Sequence, residues 1–279
     1  MSLCLPRFVV ALSTAFLLAA CGGDDDDSDK LSRTTLKATS GQYWGVPRFS
    51  MDGRIAFVRA LEQGDTYEVA VMKEDGTDVR KLAGDGTYLT GLAWSPDGSL
   101  YYSGEKGISL IPATGGTATV VYDAFAAAEL DVSPDGKLLA YRVNGGGLYL
   151  LDLEGRIVRE LNDDGSAPAF SRDGKRLAFI KRSEADVYEI RTLELANPGT
   201  SQLVAKDANY LSAVDWLPDG RLAAITEEGI SLFDLSGATP QGRLVRDEFA
   251  AKELDVSPDG EKMVYAINGQ ADLYVLTGF

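Results

Sequence analysis

Six short turns of one kind recur along the chain and limit what it can fold into. They read Ser-x-Asp-Gly or a close variant, and their Asp-Gly pairs begin at Asp52, Asp97, Asp135, Asp173, Asp219 and Asp259. The spacings are 45, 38, 38, 46 and 40 residues. Self-similarity at about forty residues predicts a repeat architecture: a solenoid, an array or a propeller. Each copy has an aromatic residue, or valine, before the turn and alternating apolar residues after it, as in RFSMDGRIAFV from Arg48 and DVSPDGKLLAY from Asp131. Such alternation marks half-buried strands. Within the turn, proline presets φ, aspartate bonds nearby backbone N–H groups and glycine takes the left-handed position. Each copy is therefore predicted to be a hairpin.

A third strand follows in every unit: TYEVAVM, GISLIPA, GLYLLDL, DVYEIRTLEL, GISLFDL and ADLYVLTG. Five units add a fourth: VRKLA, ATVVYD, RIVREL, SQLVA and RLVRDEF. In the sixth, Phe279 comes just after the third strand. A candidate for the missing strand lies at the other end, in LSRTTLKA from Leu31 to Ala38. Pairing Thr34–Ala38 with the last strand would remove two exposed edges and close a ring. The expected fold is all-β: a six-bladed β-propeller of four-stranded antiparallel blades over residues 31–279, the last blade completed by the N-terminal strand. A longer period overlies the first. YLTGLAW matches YLSAVDW 122 residues on, and AAAELDVSPDG matches AAKELDVSPDG 124 residues on. Blades 1–3 are thus expected to be a tandem copy of blades 4–6.

The repeated (Trp/Phe/Val)-Ser-x-Asp-Gly followed by an apolar strand resembles the TolB-like, WD-related propeller repeat over roughly residues 31–279. The resemblance implies the fold far more strongly than a function. TolB carries an extra α/β domain before its propeller, for which the residues ahead of 31 leave no room, so TolB's role in the Tol–Pal system does not carry over. Such propellers also resemble the lid domain of prolyl oligopeptidases. Those enzymes need an α/β-hydrolase domain, a Gly-x-Ser-x-Gly elbow and a histidine, and this sequence has none of the three.

Residues 1–20 read as an export signal, with Arg7 followed by FVVALSTAFLLAA. LAAC, ending at Cys21, resembles the lipobox of bacterial lipoproteins, which implies lipid on that cysteine and no other cofactor. GGDDDDSDK, residues 22–30, is too polar to pack and reads as a tether. Gly22 beside the cysteine resembles the default for the outer membrane facing the periplasm. The acidic tether also resembles surface-export signals, and the two remain open.

Residues 31–279 contain no cysteine and no histidine, which excludes Ser-His-Asp and Cys-His catalysis and the usual zinc ligands. Their net charge of −12 argues against nucleic acid as a partner. The six turn aspartates are expected to be structural. Two residues before each motif serine stand Arg48, Ala93, Asp131, Ala169, Asp215 and Asp255. On an innermost strand these would face the channel, with Glu129 and Glu253 just ahead of them. Such a polar ring either bonds neighbouring blades or offers a site for a cation or basic partner; no metal is assigned. The aromatics leading into the blades, Tyr43, Trp44, Tyr88, Tyr210, Phe125 and Phe249, are either partner anchors or packing between blades. The functional expectation is a monomeric, non-catalytic scaffold for a protein or peptide. The alternative is a small-ligand or metal binder, or a weak hydrolase or lyase, using Asp131, Asp215 and Asp255.

Overall fold

The computed structural model describes residues 31–38, 42–61, 66–86, 89–123, 126–162, 164–183, 187–207 and 210–279, with only the backbone of Tyr43, Asp85 and Asn162. The export signal, Cys21, the tether, Tyr88 and Phe125 lie outside the described residues.

Every repeat unit folds as a four-stranded antiparallel sheet, and six such sheets form the blades. The inner strands are Tyr43–Phe49, Leu89–Trp94, Ala127–Val132, Gly165–Phe170, Leu211–Trp216 and Ala251–Val256, for blades 1 to 6. They touch one another in that order, and Ala251–Val256 meets Tyr43–Phe49, so the ring is closed. The two-residue period puts apolar side chains between blades. Ile55, Phe57 and Met72 of blade 1 pack with Val264 and Leu273 of blade 6, for example.

The Ser-x-Asp-Gly segments are the hairpins that turn each inner strand into the second. Their glycines, Gly53, Gly98, Gly136, Gly174, Gly220 and Gly260, all have φ between 69° and 89°, in the left-handed region that glycine enters without steric cost. Gly260 is also held by a close approach, since a Cβ there would stand 2.6 Å from Cδ of Pro218 in the preceding blade's turn.

The last blade is three-plus-one, as the sequence predicts. Ser32–Leu36 pairs antiparallel with Leu273–Thr277, Ser32 opposite Thr277 and Leu36 opposite Leu273. The ladder begins and ends two residues earlier than Thr34–Ala38. Beyond Leu36 the chain is caught differently, with Ala38 N–H donating to Asp272 Oδ1 at 2.8 Å. Leu36 is buried in the seam between blades 6 and 1. Arg33 reaches back to Glu248 at 2.7 Å, a carboxylate that also accepts from Arg246 and Tyr265.

Each inner strand also carries a bulge, a shift of register against the second strand. In blades 1, 3, 4 and 6 the bulge puts a non-glycine residue at positive φ: Val46 at 52°, Glu129 at 51°, Ala167 at 48° and Glu253 at 53°. Each such residue costs about 1–3 kcal/mol unless its surroundings repay it.

If closure depends on Ser32–Leu36, Leu36→Ala lowers stability by about 2–5 kcal/mol, as for a buried leucine. Removing residues 31–38 lowers the melting temperature further than removing residues 22–30. Thermal unfolding of the three variants checks this, and equal melting temperatures for the two truncations would contradict it.

Candidate functional site

The inner strands run from one face of the ring to the other and end at the Ser-x-Asp-Gly turns. Their channel-facing side chains carry the acids expected from the sequence. Asp131 of blade 3 accepts the N–H of Phe170 in blade 4 at 2.6 Å. Asp255 of blade 6 accepts the N–H of Phe49 in blade 1 at 2.7 Å. Asp215 of blade 5 accepts the N–H of Val256 in blade 6 at 2.8 Å, and its other oxygen takes the N–H of Trp216 at 2.7 Å. Glu129 and Glu253 do the same from the bulges, accepting from Ala167 at 2.6 Å and Val46 at 2.7 Å. All five carboxylates therefore cross a seam to bind a backbone donor of the next blade.

The glutamate bonds also resolve the strain in the bulges. Glu129 and Ala167 are both at positive φ, as are Glu253 and Val46. In each pair the carboxylate of one caps the amide of the other. A hydrogen bond to a charged group contributes about 1.5–3 kcal/mol, and orphaning a buried donor costs a similar amount.

The other seams are bonded by neutral groups, and a neutral bond also joins the seam that Asp215 crosses. The indole N–H groups of Trp94 and Trp216 donate to Arg48 O and Ala169 O of the preceding blade, at 3.0 and 3.1 Å. The Thr90 hydroxyl donates to Ala127 O at 2.9 Å, and the Tyr210 hydroxyl to Ala251 O at 3.2 Å. Apart from Asp215, whose counterpart is Ala93, the pattern repeats after three seams, which is the half-ring duplication expressed as hydrogen bonds. Arg54 over the Trp94 ring and Arg176 over the Trp216 ring repeat it again.

The turn-side half of the channel is a cavity of about 450 Å³, lined by Asp131, Asp215, Asp255, Arg48 and Arg172 among others. Arg48 Nε stands 3.9 Å from Asp255, and Arg172 Nη2 stands 3.8 Å from Asp215 while donating to Val256 O at 2.9 Å. Burial and then the nearby Asp215 carboxylate push Asp131 and Asp255 up to about 7, although the accepted amides and both guanidiniums pull the other way. Burial disfavours the charge of Arg172, but Asp215, Asp255 and Asp131 more than offset it and hold the group above its usual value. The opposite half is a cavity of about 250 Å³ reaching Glu129, Glu253, Arg48 and Ser212. There the buried Ser212 Oγ lacks a hydrogen-bond partner. Among the described residues no group of three or more acidic, histidine or cysteine side chains is arranged to hold a metal ion.

Arg172 escapes a reading by strand position, because it lies in the turn. Its signal was nonetheless present: the x of the six turns is Met51, Pro96, Pro134, Arg172, Pro218 and Pro258, and only one is charged. The turn aspartates act on their own hairpins, Asp52, Asp135, Asp173 and Asp259 accepting the motif serine hydroxyl at 2.6 Å. Asp97 and Asp219 accept backbone N–H groups two residues on. Among the aromatics, Phe249 is 78% exposed and Tyr210 is 36% exposed. Trp44 requires a correction as a partner anchor: it is only 2% exposed and its ring packs 4.6 Å from Phe57. The alternation of the inner strand turns it into the seam.

No family model matches the chain, and no curated protein matches it significantly. Solved structures do. TolB from Acinetobacter baumannii superposes with a TM-score of 0.62 at 19% identity, over 81% of this chain and 64% of that one. A protein assigned as TolB from Agrobacterium tumefaciens gives 0.65 at 17% identity, over 89% and 97%. In fold, the chain is a TolB-like six-bladed propeller. A gluconolactonase from Xanthomonas campestris gives 0.69 at 18% identity, over 90% of both chains. At these identities the likeness of the TolB-like chain to all three is one of fold. It spans 64% of the length of the Acinetobacter protein.

Removing a carboxylate that crosses a seam is expected to destabilise equally at equivalent seams. Glu253→Ala and Glu129→Ala should each cost about 1–3 kcal/mol by leaving a partly buried amide unpaired. Gln at either position should restore part of that. Denaturant unfolding of the four variants measures it; an effect at one seam alone would break the equivalence.

Proposed function

We propose that the chain is a cell-envelope lipoprotein, anchored through Cys21, whose propeller binds a protein or peptide without catalysing a reaction. The observation that carries this reading is the use of the channel acids. Asp131, Asp215, Asp255, Glu129 and Glu253 are the groups best placed to serve as acid, base or ligand, and each accepts a neighbouring blade's backbone N–H. The absence of histidine and of cysteine from residues 31–279 supports it. So does the family likeness in fold, since TolB-like propellers serve as protein-interacting scaffolds.

The partner face we assign is the one opposite the Ser-x-Asp-Gly turns. Phe249 and Tyr210 stand on segments leading into inner strands, which topology places on that face, and Phe249 is the most exposed large apolar side chain among the described residues. Tyr88 and Phe125 belong to the same set by sequence. The anchor, by the sequence of the leader, holds the propeller at the outer membrane facing the periplasm, with export to the surface as the other outcome.

Phe249→Ala combined with Tyr210→Ala should remove crosslinked partner species from the intact envelope, while Met51→Ala on the opposite face leaves them unchanged. Unaltered crosslinking in the double variant would reject the assigned face. Cys21→Ser should abolish incorporation of labelled palmitate, and retained label would reject the anchor.

A second reading is favoured by one observation, the superposition on the Xanthomonas gluconolactonase over 90% of both chains together with the open turn-side cavity. There Asp131, Asp215 and Asp255 would act on a small ligand. Lactone hydrolysis above the buffer rate by wild type, lost in the triple asparagine variant, would establish it. We expect no such rate.

A further inference from the structure

Three carboxyl groups and two guanidiniums line the turn-side cavity of the channel. They come from different blades: Arg48 from blade 1, Asp131 from blade 3, Arg172 from blade 4, Asp215 from blade 5 and Asp255 from blade 6. Blades 2 and 4 carry Ala93 and Ala169 at the equivalent strand positions, and these five are the charged groups that line the cavity. With every group ionised the cluster is short of one positive charge. Asp131 and Asp255 occupy equivalent positions half a ring apart, each bonded across a seam, and Asp255 lies at the seam where the ring closes.

We propose that the closed propeller holds at least one proton on Asp131 or Asp255, in the cavity they share with Asp215, Arg48 and Arg172, and that its loss destabilises the closed ring. One proton brings the cluster to neutrality without breaking any seam bond, because a protonated carboxyl still accepts through its carbonyl oxygen. Removing it leaves a net negative charge among three carboxylates that face one cavity, and that charge is tolerated better in the unfolded chain, where the three move apart.

The sign of the pH dependence follows. Asp131 and Asp255 are raised above their unfolded value, so the folded protein binds more protons than the unfolded chain between about pH 4 and pH 7. The resulting stability is fully present below the unfolded value and is lost as pH rises through the folded one. The sequence leaves this window uncluttered. The chain has no histidine, the side chain that ordinarily titrates there. Asp52, Asp97, Asp135, Asp173, Asp259, Glu189 and Glu248 are all lowered, which keeps their effects at the acid side of it.

Carboxyl-carbon NMR of aspartate-labelled protein, with chemical denaturation from pH 5 to pH 8, tests the proposal. Two aspartate carboxyls should titrate well above the rest, and Asp215→Asn should lower both by removing the repulsion. The folding equilibrium constant should fall by up to about tenfold per pH unit within the window for one extra proton held. Asp131→Asn with Asp255→Asn, which keeps both amide acceptors, should flatten that slope. If the double variant does not fold, the Asp215→Asn titration decides alone. Every aspartate titrating below pH 5 in wild type, or a stability that is flat or rises from pH 5 to pH 7, would overturn the proposal.

Discussion

Three of the six seams between blades depend on a carboxylate of one inner strand accepting a backbone amide of the next. A propeller blade satisfies its own ladder internally, but a bulged inner strand turns amides out of the ladder, and in this ring those amides face a neighbour. Glu129 and Glu253 cap the amides that the bulges at Ala167 and Val46 release, and Asp131, Asp215 and Asp255 cap those nearer the turns. Apolar packing between blades supplies most of the burial, yet it is nearly indifferent to small rotations of one sheet on another. The directed bonds fix the angle. Where no carboxylate is present, an indole or hydroxyl donor supplies the crossing bond instead.

This arrangement gives the channel acids a structural role that accounts for their number. A carboxylate that accepts one amide at 2.6 to 2.8 Å has a structural task already, and moving it to a ligand would orphan a buried donor. The task has a consequence, because five such groups in a narrow channel repel one another. Arg48 and Arg172 reduce the repulsion on the turn side, and Arg142 lies 3.2 Å from Glu129 on the other.

Much of the fold was legible because it is periodic. Asp-Gly at six places fixes six hairpins, and the unequal strand count of the last unit points to Leu31–Ala38 as its fourth strand. The ladder there still starts two residues early, since Asp272 captures the Ala38 amide, a contact between residues 234 apart that no local pattern announces. The channel acids were legible in position through strand alternation, but their partners were not, because a backbone amide leaves no mark in a sequence. Trp44 illustrates the converse: its identity suggested an anchor, and its place in the alternation of the inner strand turned it into the seam. Arg172 was readable as an exception among prolines, though what it reaches, a carbonyl two blades on, was not.

The most direct test of this account is amide hydrogen exchange at Val46, Phe49, Ala167, Phe170 and Val256, the five donors that receive carboxylates across seams. The account predicts that all five exchange only through global unfolding, as slowly as the central-strand amides of the blades. Exchange of these amides at loop-like rates while the blades remain protected would show that the seams are not held by these bonds, and would contradict it.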